Sequence, residues 1–446
     1  MPDLSDGFLA LGLALVVSLL ATPVAGALAW RIGAIDMPRE RGLHQFPTPR
    51  LGGLAILAAV IAAGLVFLPH SGETDAILIG ATVIAIVGAL DDLLELSADF
   101  KLVGQILAAV IPVAAGVRVE NLTLPFLGPI HLSQPIAYAL TVIGIVALMN
   151  VLNFIDGVDG LAAGVCTIGA LTFAAIALSL NRNAAGVLAM IVAGASLGYL
   201  RHGFAPASIF LGDTGSNLLG YLLGVVVVQG ALKTNAVVAL AFPLVVLAVP
   251  ILDSSFVIAK RIKYGQPIYQ ADKWHFHHRF ANIGFSARRT TLYLYGWTLT
   301  LAALALALRF VPYSDDHGHF NLGWSLVMAG FGLLALAASV YLVLVLEILK
   351  WKRWRQFQLK RENLARGEVP PDDSEVDARL RRELETGEFE AVQIREAVRA
   401  AAAAERAAGG SGPGARDYGA ASAASPARTA ARTSAASYSP VSSSRA

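Results

Sequence analysis

The chain is 446 residues long, 56% hydrophobic and only 15% charged, with a formal net charge of +2. So apolar a composition excludes an ordinary soluble globular protein, and so small a net charge gives no basis for nucleic-acid binding. The single cysteine, Cys166, excludes an internal disulfide.

In chain order, apolar runs of roughly 17–25 residues, the length a membrane-spanning helix needs, alternate with short polar stretches. The first run, Phe8 to Trp30, has no basic segment before it and reads as a first span rather than a cleaved signal peptide. Eleven spans are predicted, at about 8–31, 51–69, 76–94, 101–117, 135–153, 160–180, 184–200, 215–231, 235–259, 290–311 and 323–349. The fold class expected is all-α and integral to the membrane, a polytopic bundle of about eleven transmembrane helices. Between the fourth and fifth spans, "RVENLTLPFLGPIHLSQ" alternates and carries Pro and Gly, which predicts a small hairpin.

Lysine and arginine set the orientation. One set of loops holds Arg39, Arg41, Arg50, Lys101, Arg201, Lys260, Arg261, Lys263, Lys273, Arg279, Arg288 and Arg289. The opposite set holds little beyond Arg118, Arg182 and Lys233. The basic set is expected on the cytoplasmic face, with the N-terminus outside and the C-terminal tail, opening on "KWKRWR", inside. Residues 1–350 form the expected membrane domain, 351–408 a charged extension that could be helical, and 409–446 a Ser/Ala/Gly/Pro-rich tail expected to be disordered.

Five polar motifs fall on the expected cytoplasmic face. They are "RERGLHQFPTPRLGG" (39–53), "LDDLLELSADFK" (90–101), "NFIDGVDG" (153–160), "FAPASIFLGDTGSN" (204–217) and "DKWHFHHRFANIG" (272–284). A lone Asp at a span end is most often a solvated interfacial residue. Asp91 and Asp92 are adjacent, however, and like charges side by side call for a cation. Asp156 and Asp159, at i and i+3, share a face if that segment is helical. With Asp213 they make five acids on one side, a donor set suited to a hard cation, Mg²⁺ or Mn²⁺, together with a substrate phosphate. His275, His277 and His278, flanked by Lys273 and Arg279, read as a phosphate-binding loop. A zinc site is the alternative, although the usual paired ligand spacing is missing. "GDTGSN" could offer backbone N–H groups to an anion at a helix N-terminus. Asp253, inside the ninth span, is either an interior polar contact or part of the site. His44 and Arg50 lie in a Pro-punctuated basic loop, either a plain positive-inside loop or a substrate contact.

Together, "LDDLLEL", "NFIDGVDGLAAG", "FLGDTGSN" and "DKWHFHHRFANIG" resemble the polyprenyl-phosphate N-acetylhexosamine-1-phosphate transferases, the MraY/WecA superfamily of integral membrane enzymes. The likeness runs from about Arg31 to Gly284, with the motifs in the same order. It implies a Mg²⁺-dependent transfer of a sugar 1-phosphate from a UDP-N-acetylhexosamine to a polyprenyl phosphate, at the inner face of a bacterial plasma membrane. It also implies roles. Asp91 matches the acid that deprotonates or orients the lipid phosphate, with Asp92 supporting it and the metal. Asp156 and Asp159 match acids near metal and nucleotide, and Asn153 the asparagine that opens their motif. Asp213 matches a direct Mg²⁺ ligand. The three histidines match a motif that holds the donor's phosphates, with Lys273, Arg279, His44 and Arg50 as further substrate contacts. His-Phe-His-His resembles the WecA/TagO branch, which implies UDP-GlcNAc; a muramoyl-pentapeptide donor, UDP-GalNAc or a deoxy-sugar stays open. A homodimer is compatible with the long spans. Outside the family, the competing classes are a transporter, which places ionisable groups near mid-membrane on broken helices, and a catalytically inactive scaffold.

Overall fold

The computed structural model describes residues 4–37, 47–124, 128–230, 286–312 and 321–345, with the isolated positions 251, 255 and 258. Ten helices lie among the described residues. They are α1 (Leu4–Ile32), α2 (Gly52–Phe67), α3 (Gly72–Leu94), α4 (Ala98–Ala114), α5 (Gln134–Ile155), α6 (Leu161–Ser179), α7 (Asn183–Gly203), α8 (Gly212–Gly230), α9 (Ala287–Phe310) and α10 (Leu322–Val345). Each coincides with a span read from the sequence. Six of them (α1, α3, α5, α6, α7 and α9) are long and apolar enough to cross a bilayer, which makes this an integral membrane helical protein. The expected span at 235–259 and both C-terminal segments lie outside the described residues.

The bundle is built the way membrane interiors require. Without water to drive large apolar side chains inward, helices gain by bringing small residues together and leaving bulky ones to lipid. Helix α1 shows this most directly. It buries Gly7, Ala10, Ala14, Ser18, Thr22, Ala25, Gly26 and Ala29, while Phe8, Leu9, Leu20 and Val24 stay exposed. Its buried stripe packs on α7, where Gly194 and Gly198 meet the Leu11 and Leu15 carbonyls so closely that a Cβ would lie 2.2 Å and 2.4 Å from those oxygens. Helices α6, α7 and α8 are buried on nearly every side and form the centre, with α2, α3, α5 and α9 around them.

One end of the bundle carries the expected hairpin. β1 (Asn121–Leu124) and β2 (Gly128–His131) pair antiparallel. Arg118 ties it to α5, with its guanidinium over the Tyr138 ring and an N–H donated to the Tyr138 hydroxyl at 3.2 Å. At this same end Arg309 closes α6 by donating to the Ser179 carbonyl, 3.0 Å.

The other end carries the polar motifs that lie among the described residues, 90–101, 153–160 and 204–217 with the last part of 39–53. A two-residue ladder, β3 (Ile35–Asp36) with β4 (Thr48–Pro49), closes the base of the first loop. The first free N–H groups of α2 are satisfied from a distance: Gly52 donates to the Phe210 carbonyl and Gly53 to the Leu211 carbonyl, both 3.0 Å. This contact needs glycine. A Cβ on Gly53 would sit 2.2 Å from the Gly215 nitrogen in α8. Gly53→Ala is therefore expected to destabilise the protein by about 1–3 kcal/mol, read as a lower thermal midpoint in detergent. Gly12→Ala, which meets nothing within 4 Å, is the matched control and should leave the midpoint in place.

Candidate active site

Three sequence motifs, 90–101, 153–160 and 204–217, converge where α3, α4, α5 and α8 meet. Their centre is the first turn of α8. Gly212, in the left-handed region at φ +72°, turns the chain into that helix. The two N–H groups that follow point at the Asp92 carboxylate. Asp213 N–H donates to Asp92 Oδ1 at 2.9 Å and Thr214 N–H to Oδ2 at 3.0 Å, with the Thr214 hydroxyl adding a third bond at 2.6 Å. Asp92, buried at the end of α3, thus caps α8 across 121 residues of sequence. A carboxylate facing the positive end of a helix is well placed electrostatically. The anion expected at "GDTGSN" is therefore not an incoming phosphate; it is the protein's own side chain, and no N–H of that first pair is left for a ligand.

Asp91 faces another way. Its Oδ1 accepts the Leu96 N–H at 2.8 Å, which fixes the turn into α4, and its Oδ2 pairs with Lys101. The Lys101 ammonium also donates to Asp213 Oδ2 at 2.9 Å. Asp213 Oδ1 accepts the Asn153 amide at 3.0 Å, and the same amide donates to the Ser216 hydroxyl at 2.9 Å. Lys101, Asn153 and Asp213 form one layer, from α4, α5 and α8. Asp91 is only 5% exposed, whereas the Lys101 and Asp213 side chains keep 37% and 28% of their surface. Substrate approaching from this end meets Lys101 and Asp213 first.

Asp156 and Asp159 do not share a helical face. Helix α5 ends at Ile155 and α6 begins at Leu161, so 156–160 is a turn, opened by Gly157 and Gly160. The i, i+3 rule does not apply to it. Asp159 Oδ2 accepts the Ala207 N–H at 2.9 Å and so binds the third loop to the fourth. The Tyr295 hydroxyl donates to the Gly160 carbonyl at 2.5 Å, and the Arg288 guanidinium lies 5.6 Å from the Phe204 ring centre. Asp156 feels the charges of the acid layer. Burial, then the charges of Asp213, Asp92 and Asp159, push its carboxyl well above the ordinary carboxylate range.

Arg50 is held by Asp36 at 2.6 Å, beside the β3–β4 ladder. His44, Asp253, Lys273, His275, His277, His278 and Arg279 lie outside the described residues. Among the described residues no three acids or histidines converge tightly enough to cage an ion. A cation does stand beside one of the adjacent acids: Lys101 pairs with Asp91 and reaches on to Asp213, although in the sequence it counted only as a topology marker. Lys101 was the main residue missed, with Thr214, Gln105, Asn150 and Asn217. A signal was present: Lys101/Gln105 and Asp213/Asn217 are i, i+4 pairs, each placing a polar residue one turn deeper in an apolar helix.

Comparison with known proteins gives the family. The profile of glycosyl transferase family 4 matches residues 75–231, which contain every residue of the Lys101–Asn153–Asp213 layer. A "Probable undecaprenyl-phosphate N-acetylglucosaminyl 1-phosphate transferase" of Bacillus subtilis (strain 168) is 38% identical over 310 residues, covering 68% of this chain and 87% of the relative. The chain belongs to glycosyl transferase family 4. A "Decaprenyl-phosphate N-acetylglucosaminephosphotransferase" of Mycobacterium tuberculosis (strain ATCC 25618 / H37Rv) is 36% identical over 354 residues, with 72% of this chain and 86% of the relative aligned. A "Phospho-N-acetylmuramoyl-pentapeptide-transferase" of Desulforudis audaxviator (strain MP104C) is 32% identical over 333 residues, 67% of this chain and 96% of the relative. The matched segment thus includes the residues that the structure brings to one end of the bundle.

The Asp92 cap can be tested apart from chemistry. Asp92→Ala removes two acceptor oxygens and the three bonds they take, at about 1.5–3 kcal/mol for each bond to a charged group. It should fail to give folded protein or lower the thermal midpoint sharply. Asp92→Asn, which keeps one acceptor oxygen, should fall between that variant and the wild type.

Proposed function

We propose that this protein transfers N-acetylglucosamine 1-phosphate from UDP-N-acetylglucosamine to a polyprenyl phosphate, giving polyprenyl-diphosphate-N-acetylglucosamine and UMP. The reading rests on the relatives' activities together with one observation: Lys101, Asp213 and Asn153 form a partly exposed, hydrogen-bonded layer at one end of an apolar bundle. A polyprenyl phosphate carries its reacting group at the bilayer surface, and a nucleotide sugar comes from water. Only a site where bilayer meets water serves both. The two N-acetylglucosaminyl relatives are more similar to this chain than the muramoyl-pentapeptide relative, which favours the simpler donor.

In the reaction, an oxygen of the lipid phosphate attacks the donor phosphorus that carries the sugar. A new phosphoanhydride forms and the old one breaks, with UMP leaving. One anhydride replaces another, so the reaction should run in both directions. Lys101, the accessible cation of the layer, receives phosphate oxygens. Asp91 holds Lys101 in place, and contacts a lipid phosphate only if Lys101 releases it. Asn153 orients Asp213. The donor set fits Mg²⁺ or Mn²⁺, because such ions are commonly held by one or two carboxylates plus substrate phosphates and need no cage of three. Asp213, with Asp156 beside the layer, would hold the ion; Asp92, with three donors already bound, is left to structure. When bound, the ion supplies neutralisation of the diphosphate charge. His275, His277, His278, Lys273, Arg279 and His44 complete the donor-phosphate side in this reading, and Arg50 keeps the base of the first loop.

In this reading the end lies in the cytoplasm, the side that the Lys- and Arg-rich loops favour, and the protein spans a bacterial plasma membrane eleven times. Cytoplasmic access is what a UDP-sugar requires.

Purified protein in detergent with undecaprenyl phosphate, Mg²⁺ and UDP-GlcNAc should release UMP. Release should need the lipid and the metal, and should drop at least about 100-fold in Lys101→Met and Asp213→Asn, the scale of a lost charge-stabilising group. Release from UDP-GalNAc or the muramoyl-pentapeptide donor alone would overturn the donor assignment; release from none by folded protein would overturn the function. Asp156 predicts a pH dependence. Its carboxyl keeps its proton to a higher pH than an ordinary acid, and that proton competes with the cation. Mg²⁺ affinity, measured by calorimetry without lipid or donor, should therefore rise with pH until Asp156 is ionised and then level off. Asp156→Asn should flatten the slope.

A further inference from the structure

Directly beneath the Lys101–Asn153–Asp213 layer lies a second one made only of amides. Gln105 follows Lys101 by one turn on α4, Asn217 follows Asp213 by one turn on α8, and Asn150 precedes Asn153 by three residues on α5. Every member of the upper layer thus has an amide below it on its own helix, about 4.5–6 Å deeper at 1.5 Å per residue. The three amides are bonded to one another. Gln105 Nε2 donates to Asn217 Oδ1 at 2.8 Å and to Asn150 Oδ1 at 3.5 Å, while Gln105 Oε1 accepts from Asn150 Nδ2 at 2.8 Å. The remaining donors go to backbone: Asn150 Nδ2 to the Val146 carbonyl at 2.8 Å, and Asn217 Nδ2 to the Asp213 carbonyl at 2.9 Å. Both amide hydrogens of Gln105 and of Asn150 are thereby used.

We propose that Gln105, Asn150 and Asn217 are positioning residues, an amide layer that locks the register of α4, α5 and α8 so that Lys101 and Asn153 meet the two oxygens of Asp213. The proposal rests on the transfer reaction for its catalytic consequence, though not for its geometry. Stability alone does not account for the layer. Side-chain hydrogen bonds between membrane helices contribute modestly, because an alternative packing also finds partners. What amides in an apolar bundle do is penalise wrong registers, since any slide leaves several polar groups unpaired at once. The upper layer needs that control. Asp213 takes one bond from α4 at 2.9 Å and one from α5 at 3.0 Å, and a slide of about 1 Å breaks either and slows a positioned reaction. Amides are also neutral, so they fix the helices without adding charge below the acids.

The test is a triple variant, Gln105→Met with Asn150→Leu and Asn217→Met. Replacing every partner by an apolar group of similar size leaves no orphaned donor, so the thermal midpoint should stay near that of the wild type. The kcat for UMP release should fall at least tenfold, with KM for UDP-GlcNAc changed less than threefold. Unchanged kcat in the folded triple variant, or a lower midpoint with kcat intact, overturns the proposal. Gln105→Glu gives an independent reading if the triple variant fails to fold. A protonated carboxyl at this position can still donate one hydrogen bond and an ionised one cannot, so kcat relative to wild type should fall as pH rises; a parallel pH profile overturns the proposal. Spin labels at Phe100→Cys on α4 and Gly157→Cys after α5 read the register with no substrate present. One narrow distance in the parent should broaden in either amide variant, and an unaltered distance counts against the layer. If the wild type releases no UMP while the distances behave as expected, the functional reading falls and the positioning role stands.

Discussion

The bond set between the Asp92 carboxylate and the first turn of α8 is the constraint on which the rest of the site depends. A helix that begins inside a bundle leaves its first N–H groups without partners, and a buried orphan is costly. Here α3 supplies the acceptor. Successive residues on a helix point about 100° apart, so once Asp92 is turned to α8, Asp91 is turned to α4 and reaches Lys101. The same cap holds Asp213 at the start of α8, with its side chain free to take Lys101 on one oxygen and Asn153 on the other. Two adjacent acids therefore serve two purposes. One builds the helix junction and the other holds the cation.

How much of this was legible in the sequence follows from the range of each interaction. The spans are properties of local composition, and ten of them stand as helices among the described residues. The hairpin was marked by Pro and Gly between short alternating strands. The gathering of the described motifs, 90–101, 153–160 and 204–217, at one end followed from which span ends carried them. Contacts between distant segments were not legible. Nothing local in "GDTGSN" says that its N–H groups are already taken by an acid 121 residues earlier. The expectation for Asp156 and Asp159 failed locally, because i, i+3 neighbours share a face only in a helix, and Gly157 and Gly160 end this one. Lys101 was read for its charge in the topology, which hid its place between Asp91 and Asp213.

The charge arrangement also separates the competing classes. A transporter would be expected to hold ionisable groups near mid-membrane on interrupted helices. Here the charged layer sits at helix ends, and what lies one turn deeper is neutral. An inactive scaffold would have no need of a lysine poised between two acids with more than a third of its surface open. A phosphosugar transferase uses both features. In the proposed reaction the acids recruit a cation, Lys101 receives phosphate oxygens, and the neutral amides below keep charge at the surface where the two substrates meet.

The most direct measurement follows the atoms. UDP-GlcNAc carrying ³²P on the sugar-bound phosphate and ³H in the sugar is incubated with the protein, polyprenyl phosphate and Mg²⁺, and the mixture is partitioned between butanol and water. The account predicts that both labels enter the lipid phase together in equal molar amounts, while unlabelled UMP stays in water. Tritium in the lipid with ³²P left in water as UDP would mean that the sugar moves without its phosphate, and would contradict the account.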